Sequence, residues 1–271
     1  ILKNIDNSTI DSKSNDMAYL IYTSGTTSIP KGVGITHFMV DFTTNNIIKI
    51  LKYTNSDIDV LPLPLHHSFG LGCLHTSLCV GSTLILLKNT NDLQNILDTI
   101  KKFNATTLAA IPSTLTKLLK FDKDDLQNYF SSIRLIITNS TKIPINTIQN
   151  FKTIISNGNL ATYYGLTEAS RSTFMIFDKN SSYDESVGRP APNVKIKIVN
   201  NDNEKSRNGE IWIKGDNVIK SYWENKLADE NLDNGWLRTG DLGHIDDGYL
   251  YLLGRTDDVI NIGGEKVLPD E

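Results

Sequence analysis

The stretch DVLPLPLHHSFGLGCLHTSLCVGSTLILLKNTNDLQNILDTIKKFNATTLAAIP, Asp59 to Pro112, alternates between two hydrophobic patterns. Short apolar runs typical of buried strands are separated by longer segments with apolar residues at helical spacing. The predicted strands are 59–65, 83–87 and 106–112, and the predicted helices are 69–80 and 92–103. Since strands joined by helices pair in parallel, this alternation predicts a parallel sheet with helices on both faces.

The same alternation extends in both directions. Upstream, Met17 to Ser24 is apolar enough for a buried strand, and a loop of small polar residues leads to a helix with Thr36 as its N-cap. Downstream, strands are predicted at 133–138 and 160–164, with a helix over 144–155 between them.

After about Asp178 the pattern changes to short β-type segments separated by Asn, Asp and Gly turns, at 194–200, 209–215 and 248–255. The predicted fold class is therefore α/β, with a mostly parallel sheet covered by helices and followed by a smaller β-rich lobe. We divide the chain into a core over 1–177, a lobe over 178–254 and a final segment over 255–271.

Composition narrows the classes of function. The net charge is −4, so no chain-wide positive field favours a nucleic-acid partner. No apolar run approaches the roughly 20 residues that span a bilayer. Cys73 and Cys79 lie in an apolar stretch, where small core residues are expected rather than a disulfide or metal site. A reducing, cytoplasmic setting is predicted, although a chain that begins at Ile1 without methionine cannot be examined for targeting.

YTSGTTSIPKG, Tyr22 to Gly32, has the composition of a phosphate-binding loop. Small residues let backbone amides approach phosphate oxygens, hydroxyl groups add donors, and Lys31 adds positive charge. It is not a Walker A loop, because its lysine precedes the glycine. A flexible surface loop is the alternative on composition alone.

Three later segments carry further candidate residues, each with a simpler alternative. YYGLTE, Tyr163 to Glu168, lies at the end of a predicted strand and would offer a nucleotide a ring for its base, a hydroxyl for a phosphate and a carboxylate for Mg²⁺. The alternative is an ordinary turn with a solvated glutamate. GWLRTGDLG contains Asp241, which could bind a ribose diol or only its own turn. GRTDDVINIGGEK begins with Gly254 and Arg255, and the Arg255 guanidinium could bridge ribose and phosphate oxygens. The alternative is a charged turn exposed to solvent.

In this order and spacing, the four segments resemble the superfamily of acyl-CoA synthetases, luciferases and nonribosomal-peptide adenylation domains. SVGRPAPN (186–193), GEIWIKG (209–215) and the run 222–243 match as well, so the resemblance covers nearly the whole chain. It implies ATP-dependent activation of a small carboxylic acid to an acyl-AMP with release of pyrophosphate. A thioester with CoA, or with the phosphopantetheine arm of an acyl-carrier protein, would follow.

The resemblance also implies residue roles. Lys31, His67 and Glu168 would be catalytic, with Glu168 binding Mg²⁺ and His67 near the reacting carboxylate. Asp257 matches the hinge position. The residues implied to bind ATP are Thr23, Ser24, Gly25, Thr26, Thr27, Lys31, Tyr164, Gly165, Thr167, Asp241 and Arg255. The acid would contact His67, Phe69 and Gly70. The segment HHSFGLG lacks the aspartate that binds an α-ammonium group, which favours a fatty, aryl or other acid without one.

The sequence also departs from the family pattern. Ser28 replaces a glycine of the phosphate loop, and ITNSTKIP, with Ser140 placed beside adenine, replaces a Gly/Ala-rich turn. The chain ends at Glu271 before the small C-terminal domain and its lysine. We therefore expect this chain alone to adenylate poorly or not at all. A noncatalytic nucleotide-binding module is the alternative, and an NAD-dependent enzyme is disfavoured by the missing glycine fingerprint.

Overall fold

The computed structural model describes residues 13–23, 30–200, 207–224, 228–258, 260–262 and 265–267. The strands are β1 Met17–Thr23, β2 Lys31–Thr36, β3 Ile58–Leu61, β4 Thr83–Leu86, β5 Thr107–Ala109, β6 Leu135–Thr138, β7 Asn159–Leu166, β8 Ala169–Phe177, β9 Arg189–Pro190, β10 Val194–Val199, β11 Gly209–Gly215, β12 Tyr222–Trp223, β13 Leu232–Asp233, β14 Trp236–Asp246, β15 Tyr249–Arg255, β16 Ile260–Ile262 and β17 Glu265–Val267. The helices are α1 His37–Leu51, α2 Ser68–Val80, α3 Leu93–Phe103, α4 Pro112–Leu118, α5 Lys123–Tyr129 and α6 Ile145–Ile154, with short 3-10 helices at Ala228–Asn231 and Thr256–Asp258.

The central sheet has the strand order β4-β3-β5-β6-β7-β8-β9. The pairs from β4 to β7 are parallel, whereas β8 and β9 add antiparallel strands at one edge. Neighbouring residues on one strand, such as Ile136 and Ile137, belong to different buried clusters, so both sheet faces are covered. One cluster includes residues of α1 and α2, and the other those of α3 to α6. The predicted mostly parallel sheet is confirmed.

The strand at Met17–Thr23 corrects one prediction. It lies outside the central sheet and pairs with β2 in a three-stranded sheet of order β1-β2-β12. We expected this strand to be buried, but it is partly exposed, with 62% of Tyr22 accessible to solvent. We did not predict β2, because a run of six residues with two glycines and only two apolar side chains has little strand signal of its own. The N-cap is confirmed: Met39 N donates to Thr36 Oγ1 at 3.3 Å.

The prolines shorten two predicted strands. β3 ends at Leu61, before Pro62 and Pro64, because proline cannot donate to the ladder. β5 ends at Ala109, and Pro112 begins α4 instead of ending a strand, since proline suits the first helical position.

The predicted β-rich lobe is confirmed as an antiparallel sheet of order β10-β11-β14-β13, with β15 paired to β14. Its buried Ile211, Ile213 and Leu237 belong to the same cluster as the residues of α1 and α2. The lobe and the core thus share one buried cluster, and residues of the lobe line the same cleft as the start of α2. The division at 177 and at 254 stays a prediction.

The two cysteines differ in environment. Cys73 packs against the buried cluster, but Cys79 is exposed, so the prediction that both are core residues was wrong for Cys79. Cys79 lies in the last turn of α2, on its solvent-facing side. Within the described part of the chain, the helices are all too short or too polar to cross a membrane.

Candidate active site

A cleft of about 950 Å³ lies where the ends of β1 and β2, the start of α2, the β7–β8 turn and the lobe meet. Many of the predicted site residues line it, namely Thr23, Lys31, His67, Phe69, Gly165, Thr167, Glu168, Arg255 and Asp257. Tyr164 and Asp241 line an adjoining cavity of about 360 Å³. Ser24, Gly25, Thr26, Thr27 and Ser28 lie outside the described residues.

The two cavities adjoin each other. Both are lined by Asn139, Ser140, Gly165, Leu166 and Arg255. Lys31 and Glu168 line the larger cavity, and Tyr164 lines the smaller one.

Asp241 connects the core to the lobe. The Tyr164 hydroxyl donates to its Oδ2 at 2.6 Å, and Arg255 Nη1 donates to its Oδ1 at 3.0 Å. Burial raises the pKa of Asp241, and the bonds from Tyr164 and the charge of Arg255 oppose that rise. Burial and the Asp241 charge raise the pKa of Tyr164 well above its usual value, so this hydroxyl remains a donor. Each carboxylate oxygen retains a lone pair for a further hydroxyl group.

Glu168 lies in the turn between β7 and β8, where its backbone is held in place. Ile219 N donates to its carbonyl oxygen at 3.0 Å, and the Tyr222 hydroxyl donates to its Oε1 at 3.0 Å. Lys31 Nζ lies 5.7 Å from the centre of the Tyr222 ring. A carboxylate and an ammonium group from distant segments thus face the cleft around one tyrosine.

The start of α2 carries the residues predicted for the acid. His67 is the exposed N-cap and its side chain makes no capping bond, while its ring centre lies 4.2 Å from that of His66. Phe69 is buried with its edge against Tyr163 at 5.6 Å. Gly70 is not among the residues that line either cavity. A Cβ at this position would collide with the Pro64 carbonyl. Its contact with substrate stays a prediction; the structure gives it a packing role.

Ser140 lies at the junction of the two cavities in a left-handed backbone conformation, with φ of 102°. This conformation is costly for a residue with a side chain. The Asn139 side chain accepts a bond from Ser140 N at 2.6 Å, which helps to hold the turn. Both residues line the cleft, although only Ser140 was proposed from the sequence.

The sequence analysis missed the residues that orient Asp241. Asp241 N donates to Thr239 Oγ1 at 3.0 Å, and Thr239 donates to the Ile211 carbonyl at 2.7 Å. Gly240 N donates to Glu210 Oε1 at 3.2 Å. Glu210 and Thr239 lie inside segments quoted for the resemblance, but nothing local indicates that they face one another.

The similarity of this chain to known proteins agrees with the geometry of the cleft. A family model described as AMP-binding enzyme matches residues 3–223. The chain belongs to this family of AMP-binding enzymes. Its resemblance to adenylate-forming ligases, found first from the motifs, is thereby confirmed.

Individual members of the AMP-binding family match over nearly the whole chain. A 2-succinylbenzoate–CoA ligase of Bacillus subtilis is 34% identical and aligns with 94% of this chain and 52% of its own length. A long-chain-fatty-acid–CoA ligase of Haemophilus influenzae is 31% identical, over 94% of this chain and 47% of its own. The chain therefore spans about half the length of the curated relatives that it matches.

The fold agrees with a solved family member. The structure of O-succinylbenzoate coenzyme A synthetase from Bacillus subtilis, in complex with ATP and magnesium ion, superposes with a TM-score of 0.85 at 32% identity. The match covers 95% of this chain and 54% of that one.

Proposed function

We propose that the full protein activates a carboxylic acid with ATP and then passes the acyl group to a thiol. The observation that carries the proposal is the convergence of Lys31, Glu168 and Arg255 on one cleft from three separate parts of the chain. A cation, a carboxylate and a guanidinium are the groups expected around a magnesium nucleotide. The relative crystallised with ATP and magnesium ion supports the same ligand.

The reaction would proceed in two steps. A carboxylate oxygen of the acid attacks the α-phosphorus of ATP, the bond to the bridging oxygen of the β-phosphate breaks, and pyrophosphate leaves. The thiol sulfur then attacks the acyl carbon, AMP leaves, and the thiol proton passes to solvent. Such substitution depends mainly on positioning and charge neutralisation.

The residues near β1, β2 and the β7–β8 turn would hold the phosphates. Thr23 and Lys31 flank the phosphate loop, and their strands are paired at its base. Thr167 would contact the α-phosphate and Glu168 would bind Mg²⁺, which when bound neutralises phosphate charge. The described residues contain no cluster of three or more acidic, His or Cys side chains, and one carboxylate suits Mg²⁺ because phosphates and waters supply its other ligands.

The residues between core and lobe would hold the nucleoside. Asp241 and Arg255 would bind the ribose, and the Tyr164 ring, Gly165 and Ser140 would contact adenine. His67 at the start of α2 would lie near the reacting carboxylate, with Phe69 along the acyl side. Asp257 is exposed, and its Oδ2 lies 3.5 Å from Arg255 Nη2, which suits a hinge next to the ribose site.

The relatives act with CoA, and CoA is accordingly the proposed thiol. An acyl-carrier protein is the other acceptor that the chemistry allows. A cytoplasmic location is part of the same proposal, as is the division of the chain into core, lobe and hinge segments.

The test is ATP–pyrophosphate exchange by the full-length protein with a panel of carboxylic acids. Lys31→Ala and Glu168→Ala should each lower exchange by about 100-fold. The first removes a positive charge that neutralises the phosphates, and the second removes the carboxylate that would hold Mg²⁺ against them. Lys49→Ala, at an exposed position on α1, is the control and should leave exchange unchanged. An exchange rate that is unchanged in both Lys31→Ala and Glu168→Ala would contradict the proposal. ATP binding without exchange for any acid would favour a noncatalytic module.

A further inference from the structure

The pairing of β11 with β14 is irregular at the proposed ribose site. Glu210 lies opposite Leu242, and two residues further along β11 Trp212 lies opposite Arg238. Three residues of β14, 239–241, therefore face a single residue of β11. Such a bulge interrupts the backbone ladder and changes the direction of its side chains, and bulges often lie next to active sites for that reason. This bulge contains the aspartate that would bind the ribose.

Side chains bond to the backbone of the bulge. Gly240, in its centre, has a φ of 71°, a left-handed conformation that glycine adopts without strain. Its amide donates to Glu210 Oε1 at 3.2 Å, and its carbonyl oxygen accepts a bond from Thr256 Oγ1 at 3.0 Å. The next amide, that of Asp241, donates to Thr239 Oγ1 at 3.0 Å. Glu210 thus connects the central amide of the bulge to the neighbouring strand.

The Glu210 carboxylate is itself held in a fixed orientation. Its Oε2 accepts a bond from Trp212 Nε1 at 2.9 Å and lies 3.5 Å from Arg238 Nε. The side chain is only 15% exposed and lines the main cleft. One oxygen is therefore occupied by Trp212 and Arg238, which leaves the other directed at Gly240 N.

A negative charge at Glu210 is unfavourable for Asp241. Burial raises the pKa of Asp241, and the charge of Glu210 adds to that rise. Two neighbouring carboxylates oppose each other's ionisation, so electrostatics alone does not explain a glutamate beside this aspartate. The bond to Gly240 N is the interaction with the bulge that the Glu210 carboxylate contributes.

We propose that Glu210 is a positioning residue, which fixes the bulge so that the Asp241 carboxylate meets both hydroxyl groups of the ribose. This inference rests on the proposed function, because it takes Asp241 as the ribose ligand. Without the Glu210 bond, Gly240 N would turn to solvent and the bulge would be free to shift. A small displacement of a binding group weakens its contacts strongly, since hydrogen bonds depend on distance and angle.

A purely structural role is the competing explanation. Glu210 also joins Trp212 and Arg238, so its loss could weaken the lobe as a whole. The two roles differ in a measurable way. A weakened lobe would bind every nucleotide less tightly, whereas a displaced Asp241 affects only nucleotides that carry ribose hydroxyl groups.

The experiment measures the Kd of the full-length protein for ATP and for 2′,3′-dideoxyATP by calorimetry, in the presence of Mg²⁺. The wild type should bind ATP about 30-fold more tightly, because the analogue makes no hydrogen bond to Asp241. Glu210→Ala should weaken ATP binding by about tenfold and leave the analogue nearly unchanged, so that the preference falls to about threefold. Asp246→Ala removes an exposed carboxylate from the same strand and should keep the wild-type preference.

Two further variants make the test independent of the alanine variant alone. Glu210→Gln keeps the shape of the side chain, but its single carbonyl oxygen serves the donors of Gly240, Trp212 and Arg238, so the preference should fall by about threefold. Adding Glu210→Ala to Asp241→Asn should cause little further loss of ATP binding, because the two residues act through one contact.

The outcomes separate this inference from the function on which it rests. A wild-type preference that is unchanged in Glu210→Ala, or in Glu210→Gln if the alanine variant does not fold, would overturn the role of Glu210 alone. An equal loss for ATP and the analogue would also overturn it and assign a structural role. If the wild type catalyses exchange but binds both nucleotides equally, the ribose role of Asp241 and this inference are wrong while the activity stands. Exchange with no acid at all would refute the proposed function, and the inference with it.

Discussion

The Tyr164 hydroxyl donates a 2.6 Å hydrogen bond to Asp241 Oδ2, across 77 residues of sequence. Tyr164 belongs to the central sheet and Asp241 to the lobe, so this bond connects the two layers at the proposed nucleoside site. Arg255 completes the arrangement from the neighbouring strand. The position of the lobe relative to the core is therefore coupled to the residues that would hold the ribose.

Asp241→Asn should weaken ATP binding by about 10-fold to 100-fold, because it removes the charge that accepts bonds from Tyr164 and Arg255. Calorimetric titration of the full-length protein with ATP measures this loss. Asp246→Asn, at an exposed position on the same strand, is the matched control and should bind ATP as the wild type does. Equal affinities for wild type and Asp241→Asn would argue against Asp241 as a nucleotide ligand.

Asp57 should make the stability of the protein sensitive to acid. Burial alone would raise its pKa, but hydrogen bonds from Arg134 and from Thr54 and Thr106 outweigh burial and hold the pKa below its usual value. Arg134 Nη2 lies 2.6 Å from Asp57 Oδ2. Because the folded-state pKa is lowered, this contribution is complete above about pH 4 and is lost as the pH falls through the folded-state pKa.

The corresponding variant is Asp57→Asn. At pH 7 it should lower the free energy of unfolding by about 2 kcal/mol. This loss is smaller than that for a fully buried ion pair, because Arg134 is partly exposed to solvent. Urea unfolding at pH 7 and at pH 3 measures the difference between variant and wild type. The difference should shrink at the lower pH; a constant difference would show that the charge of Asp57 is not its cause.

Gly70→Ala should destabilise the protein by about 1 to 3 kcal/mol, because the new methyl group meets the Pro64 carbonyl and α2 must shift. Gly81→Asn is a control in the C-cap of the same helix, where a Cβ meets nothing within 4 Å and asparagine tolerates the positive φ. It should change the free energy of unfolding by less than about 0.5 kcal/mol. Unchanged stability with reduced exchange in Gly70→Ala would instead support direct contact with substrate.

The two cysteines should react at different rates. Burial raises the pKa of the Cys73 thiol to about 12, so almost no thiolate exists at pH 8, whereas Cys79 is exposed. Brief treatment of the folded protein with iodoacetamide should alkylate Cys79 and spare Cys73, as peptide mapping by mass spectrometry would show. Denaturant should make both react, and labelling of Cys73 in the folded protein would contradict its burial.

Local features were predictable from the sequence because they depend on residues close together in the chain. The cap at Thr36, the helix over Leu93–Phe103 and the alternation of apolar runs follow from local spacing, and each is present in the structure. The ordered motifs also identified residues such as Lys31 and Glu168, which the cleft brings together. These motifs are recognisable because each contains a turn whose residue types, in their order along the chain, are typical of the family.

The amino-acid sequence by itself determined the fold class, the alternation of strands and helices in the central sheet, and the segments that form the cleft. Only the tertiary structure decided that β1 is half exposed, that Glu210 supports the turn before Asp241, and that Arg171 is buried. Pairing and burial depend on partners far away in the chain, such as the α2 carbonyls 102 and 103 residues from Arg171. Local spacing cannot specify such partners, because they meet only when the sheet, α2 and the lobe have packed together.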